Sequence, residues 1–296
     1  MQAEATNPAR ASEQQAQKPT RSGRQGELLF AALLSTLLFA YAGFILAVIW
    51  ADVAWLAMPG AESGKRGITK VLTSPDVATE VLTALKLSLV TSFISSILAM
   101  TVAIPSAYAL SRYRLPFRSL IDTVIDLPIV IPPLIAGISL LIFFNQMGFG
   151  IQLEKWLRVV YSQRGIVVAQ FFIASAFCIR ATKAAIDQVN PRFESVARSL
   201  GCGPVRAFWQ ITLPLAKTGL MAGWIMTWAR AMGEFAPIMV FAGATPLYTA
   251  VLPVTAFLNL SVGNIETSVA VTVLMIVIAS VTLLLFKKLG GQGYLW

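Results

Sequence analysis

The sequence predicts an all-α integral membrane protein with about six transmembrane helices. Three observations carry this expectation. The chain of 296 residues is 56% hydrophobic and only 12% charged, with a mean hydropathy of +0.72, whereas soluble domains are about a quarter charged. Six apolar runs each approach or exceed the roughly 20 residues that a helix needs to cross a hydrocarbon core. Basic residues also gather in alternate loops, as they do on the cytoplasmic side of membrane proteins.

Taken in order, residues 1–27 are Ala, Gln, Ser, Thr, Pro and charge with almost nothing large and apolar, so a disordered cytoplasmic tail is expected. The run from Leu28 to Leu56 exceeds the apolar core of a signal peptide, about 7–15 residues, and reads as an uncleaved first transmembrane helix over 28–56. An outer loop over 57–80 follows. A core over 81–288 then holds five further spans, read as Val81–Leu110, Leu120–Phe144, Ile166–Ala185, Leu220–Gly243 and Ile265–Phe286, with outer loops near 146–164 and 244–264. Residues 289–296 form a cytoplasmic end, where Trp296 belongs to a loose terminus. No internal repeat is evident, and the length leaves no room for a second globular domain.

The net charge of +9 would suggest nucleic acid in a soluble protein, but its placement explains it. Of the 23 Lys and Arg, 15 fall in segments 1–27, 111–118, 180–217 and 287–296, six in the outer loops, and two, Lys86 and Arg230, within spans. Both termini are therefore expected inside. Cys178 and Cys202 fall near the inner face, where thiols stay reduced, so no disulfide is expected. With no His and no Cys pair at metal spacing, neither a metal site nor a Ser-His-Asp arrangement is available. A segment at Gly60–Arg66 comes near a phosphate-binding loop but has the wrong spacing and lacks Ser or Thr after Lys65.

Between Glu194 and Pro214 a polar, small-residue stretch, ESVARSLGCGPVRAFWQITLP, interrupts the apolar chain. It resembles the EAA loop of ABC-importer permeases. There a small-residue helix, a glycine seven positions after the first glutamate, and a terminal I-x-L-P form the docking element for an ATPase. The resemblance rests on Glu194, Ser195, Ala197, Arg198, Gly201, Gly203, Ile211, Leu213 and Pro214. Ala197, Gly201 and Gly203 keep bulk low enough for entry into a partner's groove. One departure stands out: Ser195-Val196-Ala197 occupies the place of Glu-Ala-Ala, with the acid one position earlier. Whether Glu194 or Ser195 makes the main polar contact stays open. The plain alternative is an ordinary loop between two spans.

The third span contains Leu127-Pro128-Ile129-Val130-Ile131-Pro132-Pro133, followed by Gly137. Prolines remove backbone donors and break helices, and broken backbone inside a membrane is tolerated only against protein or a wet cavity. Pro128, Pro132, Pro133 and Gly137 are therefore candidate pathway-lining residues, with a kinked structural helix as the alternative. This stretch resembles the corresponding L-P-x-V-x-P-P-x-x-x-G segment of molybdate and sulfate permeases. In the fifth span, Arg230 and Glu234 lie one turn apart and can pair on one face. The string from Ala229 to Phe235, A-R-x-x-G-E-F, again resembles that oxyanion branch. A structural pair that holds the fifth span or a dimer interface in register is the favoured reading, and direct substrate binding the sharper one.

The chain thus resembles, over roughly residues 80–288, the membrane permease subunit of a binding-protein-dependent type I ABC importer of the molybdate, tungstate or sulfate branch. The resemblance implies a type I permease fold in the cell's inner (plasma) membrane, multi-pass, with no catalysis by this chain. It implies an ABC ATPase subunit carrying ATP and Mg, an extracytoplasmic substrate-binding protein, and a second permease copy in a homo- or heterodimer. The lipid membrane is a further partner, and nucleic acid is not. Transport would proceed by alternating access. A permease for another small solute is the alternative. An ion-coupled secondary transporter would need titratable groups embedded in the membrane beyond Arg230, Glu234 and the marginal Asp126. An intramembrane enzyme would need a constellation that is absent.

Overall fold

The computed structural model describes residues 21–57 and 74–289. Residues 1–20 of the expected tail over 1–27, most of the expected outer loop, and residues 290–296 of the expected end over 289–296, Trp296 among them, lie outside the described residues. The chain divides into two units, Met1–Ala54 and Trp55–Trp296. The first carries all but the last three residues of helix α1, Arg21–Ala57, which begins within the stretch read as a tail. Its apolar part, Phe30–Leu56, is long enough to cross a bilayer.

The second unit opens with α2, Pro75–Arg112, a helix of 38 residues that starts six positions before the expected span. Pro75 suits this first position, because the amide it lacks would have no intrahelical partner there. The buried face of α2 is almost entirely small: Ala84, Ser88, Ser92, Ser96, Ala99, Ala103 and Ala107. Small residues let helix backbones approach closely in a membrane, where hydrophobicity alone does not drive helices together. This face packs most extensively against α6, Gln163–Asp187. The serines are also bonded. Trp228 Nε1 donates to Ser92 Oγ at 2.9 Å and Trp224 Nε1 to Ser96 Oγ at 3.1 Å. The Leu252 amide donates to Ser88 Oγ at 2.8 Å.

The span expected at Leu120–Phe144 is two helices, α3 (Arg118–Val130) and α4 (Pro133–Gln146), bent by 111° at Ile131-Pro132. Both residues at the break have extended backbone, and neither Pro132 nor Pro133 has an N–H to continue a helical ladder. The expected outer loop 146–164 holds α5, Gly148–Leu157. After α6 come α7 (Pro191–Ser199), a single turn α8 (Pro204–Ala207) and a π-helical turn, Phe208–Thr212. The span expected at Leu220–Gly243 is shifted and divided into α9, Leu213–Met232, and a short α10, Ala236–Phe241. The last expected loop, 244–264, contains α11, Leu252–Ser261, and α12 runs Ile265–Leu289.

Among the described residues four helices are long and apolar enough to span a membrane, and a fifth span results if α3 and α4 are taken together. Helix α9 has the length, 20 residues, but Lys217, Thr218 and Arg230 dilute its apolar content. Six crossings are expected from the sequence; the described residues give four, or five with the bent pair, because the expected fifth span is divided and diluted by charge.

The core has two ends of different character. At one, Phe144, Ile166, Ile238, Phe241 and Val254 bury bulky side chains among α4, α6, α10 and α11. At the other, Ala107, Ala185, Ile186, Val189, Ala216 and Leu220 form a smaller cluster among α2, α6 and α9. The stretch from Pro191 to Thr212 joins the chain at this second end.

Candidate docking surface and charge sites

Helix α7 is amphipathic in an inverted sense. Asn190 caps its N-terminus, accepting from the Arg192 amide at 3.0 Å, and Pro191 takes the first helical position. Phe193, Val196 and Leu200 recur at helical spacing on one face and are 56%, 60% and 83% exposed. Glu194, by contrast, is the one buried residue between Pro191 and Leu200, at 8% exposure. A helix that ends its folding by burying its acid and showing its apolar stripe presents a surface for something else. Val205 and Trp209 extend the exposed apolar area beyond the turn.

The C-terminus of α7 is closed by a Schellman motif. Gly201 has φ +88°, its amide donates to the Arg198 carbonyl at 3.0 Å, and the Cys202 amide reaches back to Ala197 at 3.0 Å. A Cβ on Gly201 would meet no atom within 4 Å. Its glycine is therefore required by backbone conformation, which no low-bulk argument captures. Gly203 is exposed and faces open space, and Ala197 is half-buried. The I-x-L-P end of the stretch is the entry into α9. The Leu213 amide bonds to the Phe208 carbonyl across the wide π turn, immediately before Pro214, which has no N–H to continue a narrower ladder. Ile211 and Leu213 are half-buried, whereas Pro214, Ser195 and Arg198 are exposed.

The buried Glu194 carboxylate is held from three directions. Arg112 Nε donates to Oε1 at 2.8 Å, Thr212 Oγ1 to the same oxygen at 2.7 Å, and Tyr108 OH to Oε2 at 3.0 Å. The remaining Arg112 reach goes to the carbonyls of Ile186 at 3.2 Å and Val189 at 2.7 Å, at the end of α6. Tyr108 also packs its ring on Phe208 of the π turn, centroids 4.6 Å apart. Burial alone would push the Glu194 carboxyl up. The hydrogen bonds from Arg112, Thr212 and Tyr108 outweigh it and hold the group below its ordinary value. Ser195, the other candidate for a polar contact, donates to the Pro191 carbonyl at 3.2 Å and stays on the exposed side.

The sites expected inside the membrane are placed as follows. Gly137 is buried where α4 crosses α10, and a Cβ there would lie 2.9 Å from Pro237 Cα and 3.1 Å from Val240 Cβ. Close packing therefore accounts for it. Pro132 and Pro133 are exposed at the break and Pro128 is half-buried inside α3. Arg230 and Glu234 form an ion pair, although Glu234 lies just past the end of α9. The Arg230 guanidinium also stands over the Phe177 ring, 5.4 Å from its centroid.

Sequence reasoning missed a second charged cluster. Arg180, assigned to an inner loop, lies in α6 and grips Asp126 with two bonds of 2.6 and 2.7 Å, and Asp122 at 2.9 Å. It thereby ties α3 to α6. Also missed were Phe193, Val196 and Leu200, whose i, i+3, i+7 spacing was readable, and Arg112, Tyr108 and Thr212, whose convergence on Glu194 was not. Among the described residues no group of His, Cys, Asp or Glu could hold a metal ion.

A family model described as binding-protein-dependent transport system inner membrane component matches residues 96–290. A probable molybdenum ABC transporter permease protein of Haloferax volcanii is 36% identical over 220 residues, covering 74% of this chain and 80% of that relative. The sulfate transport system permease protein CysT of Escherichia coli is 29% identical over 246 residues, or 82% and 87% of the two chains. Among solved structures, a bacterial ABC transporter involved in import of the acidic polysaccharide alginate superposes with TM-score 0.69 at 18% identity, over 90% of this chain and 96% of that one. An inward-facing MetNI methionine ABC transporter gives TM-score 0.57 at 16% identity, over 73% and 94%. At such identities these structures speak for the fold.

Proposed function

The chain belongs to the family of binding-protein-dependent transport system inner membrane components, and from that premise we propose that it carries an oxyanion, molybdate, tungstate or sulfate, across the membrane in an ATP-driven importer. It is a multi-pass membrane permease subunit with the type I importer fold. The oxyanion reading is supported by the names of its relatives and by the A-R-x-x-G-E-F and proline-rich segments.

The observation that carries the ATP-driven part is the inverted helix α7. Its exposed Phe193, Val196 and Leu200 suit an apolar groove on a separate ATPase, the subunit that would hold ATP and Mg. In this reading Ser195, Ala197, Arg198, Gly201, Gly203, Ile211, Leu213 and Pro214 shape or flank the docking surface, and both termini are cytoplasmic. A second permease copy, identical or related, would give each of two ATPases one docking element. An extracytoplasmic binding protein would deliver the anion. The break at Pro128, Pro132 and Pro133, with Gly137 beyond it, would border the pathway, and Arg230 with Glu234 would hold α9 in place. ATP binding can shift such a permease between inward-open and outward-open forms only if the nucleotide-bound ATPases contact the two forms differently.

The test is uptake into proteoliposomes that contain this chain, its ATPase and a loaded binding protein. Accumulation of molybdate, tungstate or sulfate that requires ATP is the expected outcome. Uptake that persists without the ATPase and ATP but collapses with the proton gradient would overturn it.

A further inference from the structure

The docking reading leaves the role of the buried acid unassigned, and the geometry around it points to one. We propose that Glu194 and Arg112 form an internal staple that makes the docking element a rigid extension of α2 and α6, so that Glu194 positions the docking surface without touching the ATPase. The proposal rests on the docking reading and deepens it.

Four observations support the staple. Glu194 is turned inward and its two carboxylate oxygens already accept from Arg112, Thr212 and Tyr108. The exposed side of the same helix is formed by Phe193, Val196 and Leu200, with Ser195 beside them. The guanidinium of Arg112 is a branching point. From the last turn of α2 it reaches Glu194 of α7 and the carbonyls of Ile186 and Val189 at the end of α6. A planar fork with five donors can hold three elements in fixed relation, which a single ammonium cannot. A second link runs alongside: Ser111 bonds to Asp187, which also pairs with Lys183 at 2.5 Å. The ends of α2 and α6 are thus joined twice, and the docking helix is fastened to that joint.

The mechanical consequence is specific. Displacement of α7 by a partner reaches α2 and α6 directly through side chains, in addition to the covalent route through the π turn into α9. Without the staple the docking surface would still bind, but its movement would dissipate in the loop. Glu194 is accordingly a positioning residue for transport.

The experiment uses the complete transporter, with permease, ATPase and binding protein in proteoliposomes, and follows three readouts: ATPase copurification, ATP hydrolysis, and anion taken up per ATP hydrolysed. Glu194→Gln is expected to retain the ATPase at wild-type yield while uptake per ATP falls at least tenfold. Tyr108→Phe and Thr212→Val each remove one neutral donor and are expected to lower that ratio several-fold, and they keep the test valid if Glu194→Gln fails to insert. In a chain lacking Cys178 and Cys202, the double variant Arg112→Cys/Glu194→Cys should lose uptake. It should regain uptake when bridged by a short bis-methanethiosulfonate reagent and lose it again on reduction. A merely destabilising change would lower the amount of complex and leave the ratio alone.

Loss of ATPase copurification in parallel with uptake would make Glu194 a partner contact and overturn the staple while leaving the importer intact. An unchanged uptake ratio in all three single variants would overturn it too. A wild-type chain that retains no ATPase at all would instead remove the docking reading on which it stands.

Discussion

Two buried glutamates in this molecule face arginines, in contrasting surroundings. Glu194 gathers side chains from as far as 86 residues away, and its arginine partner spends its remaining donors on the end of another helix. Glu234 meets Arg230 only four residues earlier, and that arginine side chain stays 36% exposed with its guanidinium over Phe177. A buried ion pair repays its desolvation only when the rest of its hydrogen-bonding capacity is also met. The first pair meets that condition by joining three segments and so fixes tertiary placement. The second closes within one turn, and its link to another helix is the Phe177 ring of α6.

The largest effect should follow removal of the hub. Arg112→Met leaves the Glu194 charge buried with two neutral donors and should cost about 3–5 kcal/mol, read as a fall in the thermal unfolding midpoint of the purified protein. A cost near that of an exposed surface change would erase the contrast between the two pairs.

Acid should dissolve the same pair. Its carboxyl titrates lower in the folded protein than its ordinary 4.5, so the stabilisation is whole above that value and disappears as pH drops through the lower folded value. The protection factors of amides 192–203 against hydrogen exchange should therefore hold from neutral pH down to about the ordinary carboxylate range and fall only below it. Release already at pH 6 would mean that the hydrogen bonds do not govern the group.

The comparison sharpens with one exchange made twice. Arg112→Lys loses the fork and should cost about 1.5–3 kcal/mol, the scale of hydrogen bonds to charged groups. Arg230→Lys keeps the local charge and forfeits mainly the contact with Phe177, about 0.5–1 kcal/mol. Equal costs would show that the two pairs are alike after all.

Smaller again is Gly201→Ala, which forces a left-handed backbone on an L-residue at about 1–2 kcal/mol and should weaken ATPase retention through a distorted α7 end. Least of all for stability is Val196→Ser on the outer face, within about 0.5 kcal/mol, although ATPase copurification should fall several-fold. Retention of the ATPase by Val196→Ser would place the docking surface elsewhere.

Long apolar runs made α2, α6 and α12 readable in sequence, because in a bilayer composition nearly determines crossing. The break before α4 was readable too, since Pro128, Pro132 and Pro133 lie within six residues. The start of α9 was not: Lys217 and Thr218 sit inside its first turns and mimic a loop. Helices α5 and α11 are too short to separate from loops by hydropathy. Of the docking stretch, the outward face was legible from the spacing of Phe193, Val196 and Leu200. The inward face was not, because the partners of Glu194 come from α2 and from beyond α8, at separations no local pattern encodes. Arg180 escaped for the same reason, its two aspartates lying 54 and 58 residues earlier.

The serines of α2 impose a step size. Trp224 and Trp228 rest on Ser96 and Ser92, one helical turn apart on both helices, with Ser88 a further turn along. Sliding α9 along α2 by a fraction of a turn pulls both indole N–H groups off their hydroxyls, whereas a shift of about 5–6 Å, one full pitch, towards the start of α2 sets Trp224 opposite Ser92 and Trp228 opposite Ser88. Gradual creep between these two helices is therefore disfavoured, and relative travel comes in notches, like a pawl on its rack.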